Sequence, residues 1–173
     1  MGKRLVTKSG NDNIYTPYEL AKSIVDYINP KGFMLEPCMG EGAFTNIFKE
    51  RNLEYEWTEI DKDRDYFTYP LVKGKYDWII TNPPFSKIRK FLIRSYELEA
   101  KNIAFLMPIN AIWMNGKLND MKTFNYSLTD ILLCQSPYER RLNGWKQSGF
   151  SIGVVIIKKD CNQSFINFNE IKW

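Results

Sequence analysis

Histidine is absent from the 173 residues. That absence excludes Ser-His-Asp and Cys-His nucleophile systems, histidine general bases and histidine metal sites. Cysteine is scarce. Cys38, Cys134 and Cys161 lie far apart and no Cys-x-x-Cys occurs. This spacing supports neither a disulfide framework nor a thiolate zinc site; it fits a reducing, cytoplasmic setting, and no metal is expected. No apolar run approaches the roughly 20 residues of a membrane span, so no membrane partner is expected. Met1-Gly2-Lys3-Arg4 begins with charge and no apolar stretch follows it, so no signal peptide is expected. Repeats, low-complexity tracts and linkers are also missing.

What is present is the composition of a packed α/β chain. Hydrophobic residues make up 44% and aromatics 15%, which favours a core over disorder. A length of 173 residues is that of one domain, 1–173. Residues 1–13 are polar and expected to be flexible, and residues 159–173 form a C-terminal extension that is either an edge strand or a docking tail. The net charge of +4 permits a polyanionic partner without requiring one.

The order of elements follows from local signals. Thr16-Pro17-Tyr18-Glu19 reads as a helix start, with Thr as N-cap, Pro at N1 and Glu at N3. Ala21, Ile24, Val25 and Ile28 give that helix one apolar stripe, and Asn29-Pro30-Lys31-Gly32 ends it. Strands are expected at 33–36, 55–60, 76–81, 103–107, 129–134 and 152–158, with helices at 44–51 and 86–99. Alternating strands and helices imply a mostly parallel sheet, and the segment joining the last two strands implies antiparallel pairing there.

Six segments can carry chemistry. Glu36-Pro37-Cys38-Met39-Gly40-Glu41-Gly42-Ala43-Phe44 follows the first strand. Its glycines let backbone approach a ligand at the carboxyl end of a strand, and an acid before the turn suits a cationic amino group; read alone, it is equally an ordinary tight turn. Glu59 ends the second strand, where an acid can accept from ribose hydroxyls, with Asp61 as its rival and a solvated acid as the plain alternative. Asp65-Tyr66-Phe67 offers an acceptor beside an aromatic ring, or a surface acid. Residues 140–150 (Arg140, Arg141, Trp145 and Lys146 among them) combine charge, glycine and Trp, as in a loop that grips phosphate and stacks a base, or in a charged hairpin around a core Trp. Lys87, Lys90 and Arg94 share a helix face that is either solvated or set against a nucleic-acid backbone.

The most specific signal is Asn82-Pro83-Pro84-Phe85 at the end of the third strand. Two prolines fix φ and remove two backbone donors. The Asn82 side-chain carbonyl and the Pro83 backbone carbonyl can then accept from one planar NH2 group, and Phe85 can lie against its ring. An aryl amine is a poor nucleophile because its lone pair is delocalised. Two fixed acceptors favour a more pyramidal nitrogen with the lone pair aimed at an incoming group.

With these residues the chain resembles the class I S-adenosylmethionine-dependent N6-adenine DNA methyltransferases, in their gamma-like order of donor motifs before the catalytic motif. The resemblance covers roughly residues 12–158, and Thr81–Ser86 is similar to short phage-type members. It implies a Rossmann-like sheet, mostly parallel with an antiparallel C-terminal hairpin and helices on both faces, in a bacterial or phage-infected cell. It implies S-adenosyl-L-methionine as donor, without metal. By the same resemblance Asp12–Pro17, with Tyr15, Thr16 and Pro17, lies over the methionine end of the donor. Glu36, Pro37, Cys38, Gly40, Gly42 and Phe44 form the donor turn, Glu59 binds ribose, and Ile60, Asp65 and Tyr66 meet the donor adenine. Asn82, Pro83, Pro84 and Phe85 are catalytic, and Asn82 also touches the donor. Trp145 packs on a flipped target base, with Arg140, Arg141, Lys146 and Lys87 toward the substrate.

Two departures from the family have consequences. Five residues separate Glu59 from Asp65, so the helix after the second strand is expected to be missing. No target-recognition domain is expected, so specificity is expected from a separate chain, a homodimer, the chain's own loops (110–127 and 135–150) or a preference for single strands. The readings carried forward are DNA adenine N6-methylation first, then the same reaction on RNA, a catalytically silent subunit, methylation of free adenine nucleotides, and protein glutamine methylation.

Overall fold

A computed structural model describes residues 15–114, 116–135, 151–162 and 165–173. Its centre is a seven-stranded sheet in the order β2-β1-β3-β4-β6-β5-β7. The strands are β1 (Phe33–Glu36), β2 (Glu54–Trp57), β3 (Trp78–Thr81), β4 (Asn102–Pro108), β5 (Tyr126–Gln135), β6 (Ile152–Lys159) and β7 (Asn167–Lys172). All neighbours pair in parallel except β6, which runs antiparallel to both β4 and β5. The expected antiparallel pairing of β5 and β6 is therefore present, and the open question over the last residues resolves into β7, an edge strand parallel to β5.

Successive residues of each strand feed opposite faces. Leu35, Ile79, Ile103, Phe105 and Met107 face α3 (Ile88–Glu97) and α4 (Lys117–Thr123), where they meet Phe91, Leu92, Tyr96 and Met121. Met34, Ile80, Ala104 and Leu106 face α1 (Tyr18–Ile28) and α2 (Ala43–Glu50), where they meet Leu20, Ile24, Ile47 and Phe48. Both faces being covered explains why Val154-Val155-Ile156-Ile157 is an unbroken apolar run.

Beyond shifts of two or three residues at the ends of β3, β5 and α3, three places differ from the sequence expectation. β2 stops at Trp57, because Thr58 turns inward to bond the loop after β1. α1 starts at Tyr18 with Pro17 as N-cap and no side-chain cap bond, because the Thr16 hydroxyl is engaged elsewhere. The stretch 109–123 holds a 3-10 segment (Ile109–Trp113), too short for a helical period, and α4, whose buried positions Lys117 and Met121 give no apolar stripe. As expected, no α-helix follows β2; a single 3-10 turn (Ile60–Lys62) stands there. Among the described residues no helix is long and apolar enough to cross a membrane.

Candidate functional site

Strand order locates the site. From β1 the chain moves outward through α2 to β2, then returns to β3 on the other side of β1 and continues to β4. The direction of winding reverses between β1 and β3, and in open α/β sheets the crevice outside the carboxyl ends of such strands receives ligands. β1 ends on Glu36 beneath this crevice, and β3 ends on Thr81, which places Asn82 at its edge.

The loop after β1 is stitched to the end of β2. The Thr58 N–H donates to the Glu36 carbonyl at 2.9 Å, its hydroxyl donates to the Pro37 carbonyl at 2.7 Å, and its carbonyl accepts from the Met39 N–H at 3.0 Å. Glu59 completes the seam: its Oε2 accepts from the Gly40 N–H at 2.7 Å, and its Oε1 from the Asp61 N–H at 3.3 Å. Gly40 has φ of +52°, and a Cβ there would sit 3.3 Å from the Tyr15 ring, so both the backbone and the close ring favour glycine. Gly42 caps α2 in the left-handed region.

The short link after Glu59 does the work of the missing helix. Glu59 and Arg64 exchange backbone hydrogen bonds of 2.8 and 3.1 Å. The Arg64 guanidinium lies between the rings of Trp57 and Tyr69, at 4.1 and 4.2 Å. This compact excursion returns Asp65 to the same cavity as Glu59.

That cavity has a volume of about 580 Å³. Tyr15 and Thr16 border it on one side and Pro37 to Glu41 on another, with Ala43 and Phe44 at the start of α2. Glu59 to Lys62, Asp65 to Phe67, Asn82, Pro84, Ser86 and Lys87 complete it. Carboxylates dominate its charge: Glu41, Glu59, Asp61 and Asp65 against Lys62 and Lys87. Such a lining favours a ligand carrying positive charge.

Individual residues depart from the expected arrangement. Glu36 is buried beneath the turn and does not border the cavity; its Oε1 accepts from the Cys38 N–H at 2.9 Å. Burial drives its carboxyl well above the ordinary carboxylate range, against the pull of the Thr81 hydroxyl and the Cys38 N–H. That Thr81 hydroxyl is buried without a hydrogen bond of full geometry. Burial, with Glu36 and Glu59 adding to it, also raises the Cys38 thiol well above its usual range, so it meets the cavity as a neutral group rather than a thiolate. Tyr66 is a core ring, stacked on Phe91 at 5.1 Å with its hydroxyl 2.9 Å from Ser95 Oγ. The exposed ring beside Asp65 is Phe67, whose N–H donates to Asp65 Oδ1 at 3.0 Å. Ile60 is 62% exposed over the cavity.

At the end of β3, Asn82 borders the cavity and its Nδ2 donates to Thr16 Oγ1 at 3.1 Å. Pro83 is buried, and Phe85 is half-buried against the α3-side core; neither borders the cavity, and Pro17 and Gly42 also lie behind it. Arg140, Arg141, Trp145 and Lys146 fall outside the described residues. Sequence reasoning missed Phe67 and the Thr16–Asn82 contact. The first carried a signal, an aromatic two residues after Asp65; the second joins residues 66 apart and carried none.

Solved structures share this architecture. An S-adenosylmethionine-dependent methyltransferase from Archaeoglobus fulgidus matches with a TM-score of 0.57 at 14% identity, over 83% of this chain and 95% of that one. A geranyl diphosphate C-methyltransferase from Streptomyces coelicolor A3(2), solved with Mg2+, geranyl diphosphate and S-adenosyl-L-homocysteine, matches at 0.56 and 10% identity, over 82% of this chain and 78% of that one. A predicted O-methyltransferase from Agrobacterium tumefaciens matches at 0.52 and 10% identity, over 90% and 84%. The fold of this chain is thus the Rossmann-like fold found in these methyltransferases. No protein-family model matches the chain, and no curated protein matches it in sequence.

Proposed function

We propose that this chain transfers a methyl group from S-adenosyl-L-methionine to the exocyclic N6 amino group of adenine in DNA. The observation that carries this reading is the sharing of one cavity by the Asn82 amide, the Gly40 turn and the acids Glu59 and Asp65. A volume of about 580 Å³ falls within the usual range for small-molecule sites, and the carboxylate-rich lining suits a donor with a cationic sulfur and an amino group.

Glu59 would receive ribose hydroxyls, Ile60 and Phe67 would cover the donor adenine beside Asp65, and Tyr15, Thr16 and the 37–41 turn would hold the methionine end. Glu36 acts from behind, by bonding the Cys38 N–H and so shaping that turn. When bound, the donor supplies a methyl group on a positively charged sulfur. Everything else falls to this chain: the Asn82 side-chain carbonyl and the Pro83 carbonyl accept the two hydrogens of the target amine and favour a nucleophilic lone pair on its nitrogen. Phe85 would lie against the target base.

Nucleic acid would approach over Lys87, which borders the cavity and is exposed. β5 ends at Gln135 and β6 begins after Ser151 at this same carboxyl end of the sheet, so the connection bearing Arg140, Arg141, Trp145 and Lys146 starts and finishes there. Methyl-labelled donor should be incubated with duplex DNA, single-stranded DNA, RNA and free nucleotides, and product nucleosides identified by mass spectrometry. N6-methyldeoxyadenosine is the expected product. Label confined to RNA would move the activity there, and donor binding without transfer to any acceptor would make the chain a silent subunit.

A further inference from the structure

Resting on the DNA reading above, we propose that Trp113 and Met114, with the cations at the start of α3, form a surface that holds unpaired bases of a single DNA strand outside the cavity. The chain then prefers a single-stranded acceptor to a duplex. Trp113 is 49% exposed and Met114 53%, at the end of the 3-10 segment Ile109–Trp113. Neither borders the donor cavity. An open Trp ring face is a stacking platform that any base can use.

Topology sets this pair beside the catalytic strand. β4 pairs Phe105 with Thr81 of β3 and continues to Pro108, so the 3-10 segment starts alongside Asn82–Phe85. Ile112 and Ile88 share one core cluster, against which Phe85 also packs. The turn after Met114 is tied to α3. Arg89 donates to Asp120 from Nε at 2.7 Å and from Nη2 at 3.0 Å, and that Nη2 lies 3.5 Å from where a Cβ on Gly116 would stand. Lys117 Nζ donates to the Met114 carbonyl at 3.0 Å. Lys87, two residues before Arg89, borders the cavity.

Charge identifies the occupant. Across 86–96 and 108–124, Lys87, Arg89, Lys90, Arg94, Lys117 and Lys122 stand against one acid, Asp120, and Arg89 engages it. Arg94 turns to Glu97, while Lys87, Lys90 and Lys122 are exposed. Cations at the start of a helix oppose its dipole, so Lys87 and Lys90 do not serve the stability of α3. The adjoining donor cavity has the opposite sign, rich in carboxylates. A partner with anionic charge along its length and flat apolar faces matches both the cations and the open ring, and a nucleic-acid strand has both. A duplex keeps its base faces in the stack, whereas a single strand offers them.

Fluorescence anisotropy of the full chain with a labelled, adenine-containing single-stranded oligonucleotide, and with the same sequence as duplex, tests this. The wild type should bind the single strand about tenfold more tightly than the duplex. Trp113→Ala should weaken single-strand binding about tenfold, the scale of one base–aromatic stack, and Trp113→Phe should recover most of it. Duplex binding should fall less. Lys90→Gln should weaken both and lower the salt slope for the single strand by about 0.7. Donor Kd and melting temperature should stay near wild type in all three variants, because neither residue borders the cavity. Duplex bound as tightly as single strand, or unchanged single-strand affinity in Trp113→Ala, would overturn the proposal. So would a Trp113→Ala chain that sediments as a monomer where the wild type is a dimer, since the pair would then join two copies. If the chain transfers no methyl group yet shows these losses, the activity reading fails and the surface stands. If it methylates DNA while Trp113→Ala binds as wild type, the activity stands and the surface fails.

Discussion

The two ends of the central sheet are built on opposite plans. At the amino-terminal end, Asp77 joins the starts of three strands. Its Oδ2 accepts from the Phe33 N–H at 2.8 Å, its Oδ1 from Lys101 Nζ at 2.7 Å, and its backbone carbonyl from both the Asn102 N–H and Asn102 Nδ2, at 3.0 and 2.9 Å. At the carboxyl-terminal end, Glu36 is a buried carboxyl and Thr81 holds a buried hydroxyl without a well-formed bond. The Asp77 junction satisfies its polar groups internally. The carboxyl-terminal end departs from that pattern, as ligand sites do. The crevice can tolerate such features because the opposite end and the two apolar layers fix the strands.

Substitutions at the two ends should separate along this line. The largest effect belongs to Asn82→Ala. Removal of one preorganised acceptor should lower kcat by about 10² to 10³ fold, with donor affinity little changed and the melting temperature near wild type. Steady-state kinetics beside calorimetric donor titration would measure this, and a wild-type rate would remove Asn82 from catalysis. At the other end, Gly32→Val should spare the site and damage the fold. Gly32 has φ of +87°, and a Cβ there would come within 2.0 Å of Asp77 Oδ2. A loss of about 3 kcal/mol is expected, lowering the melting temperature by roughly 10 °C. Unchanged thermal stability would mean that the Asp77 junction is loose.

Glu59→Ala should weaken donor binding about tenfold, since it removes a charged acceptor and frees the Gly40 turn. An unchanged donor Kd would shift the ribose contact to Asp61. The smallest effects concern pH. The Lys101 ammonium and the Phe33 N–H hold Asp77 below its ordinary value, so its stabilising contribution is present above the unfolded pKa and is lost as pH falls through the folded one. Glu36 is raised by burial, so its contribution is full below the unfolded pKa and is lost as pH rises through the folded one. Thermal melts across pH should therefore lose their acid slope in Asp77→Asn and their opposing slope in Glu36→Gln. Matching curves for the two variants would contradict the contrast between the ends.

Legibility in the sequence follows the same division. β1 occupies the residues that its pattern predicts, and the run Val154–Ile157 is buried as its composition requires. Local chemistry also locates the Asn-Pro-Pro-Phe segment at the end of β3. What escapes is set by distant parts of the chain. Thr16 has the sequence of a cap and serves instead as an acceptor for Asn82, because the fold brings β3 to the start of α1. Tyr66 and Phe67 both border the crevice and both pack on Phe91; only the contact of the Tyr66 hydroxyl with Ser95 and its depth in the core make the first a core ring while the second stays exposed. α4 escapes for another reason: Lys117 and Met121, its buried positions, do not make an apolar stripe.

The most direct measurement is a crystal structure with S-adenosyl-L-homocysteine. The account predicts the ribose at Glu59, the adenine between Ile60 and Phe67, and the sulfur on the Asn82 side of the Gly40 turn. A ligand outside the crevice between β1 and β3, or one whose sulfur points away from Asn82, would contradict it.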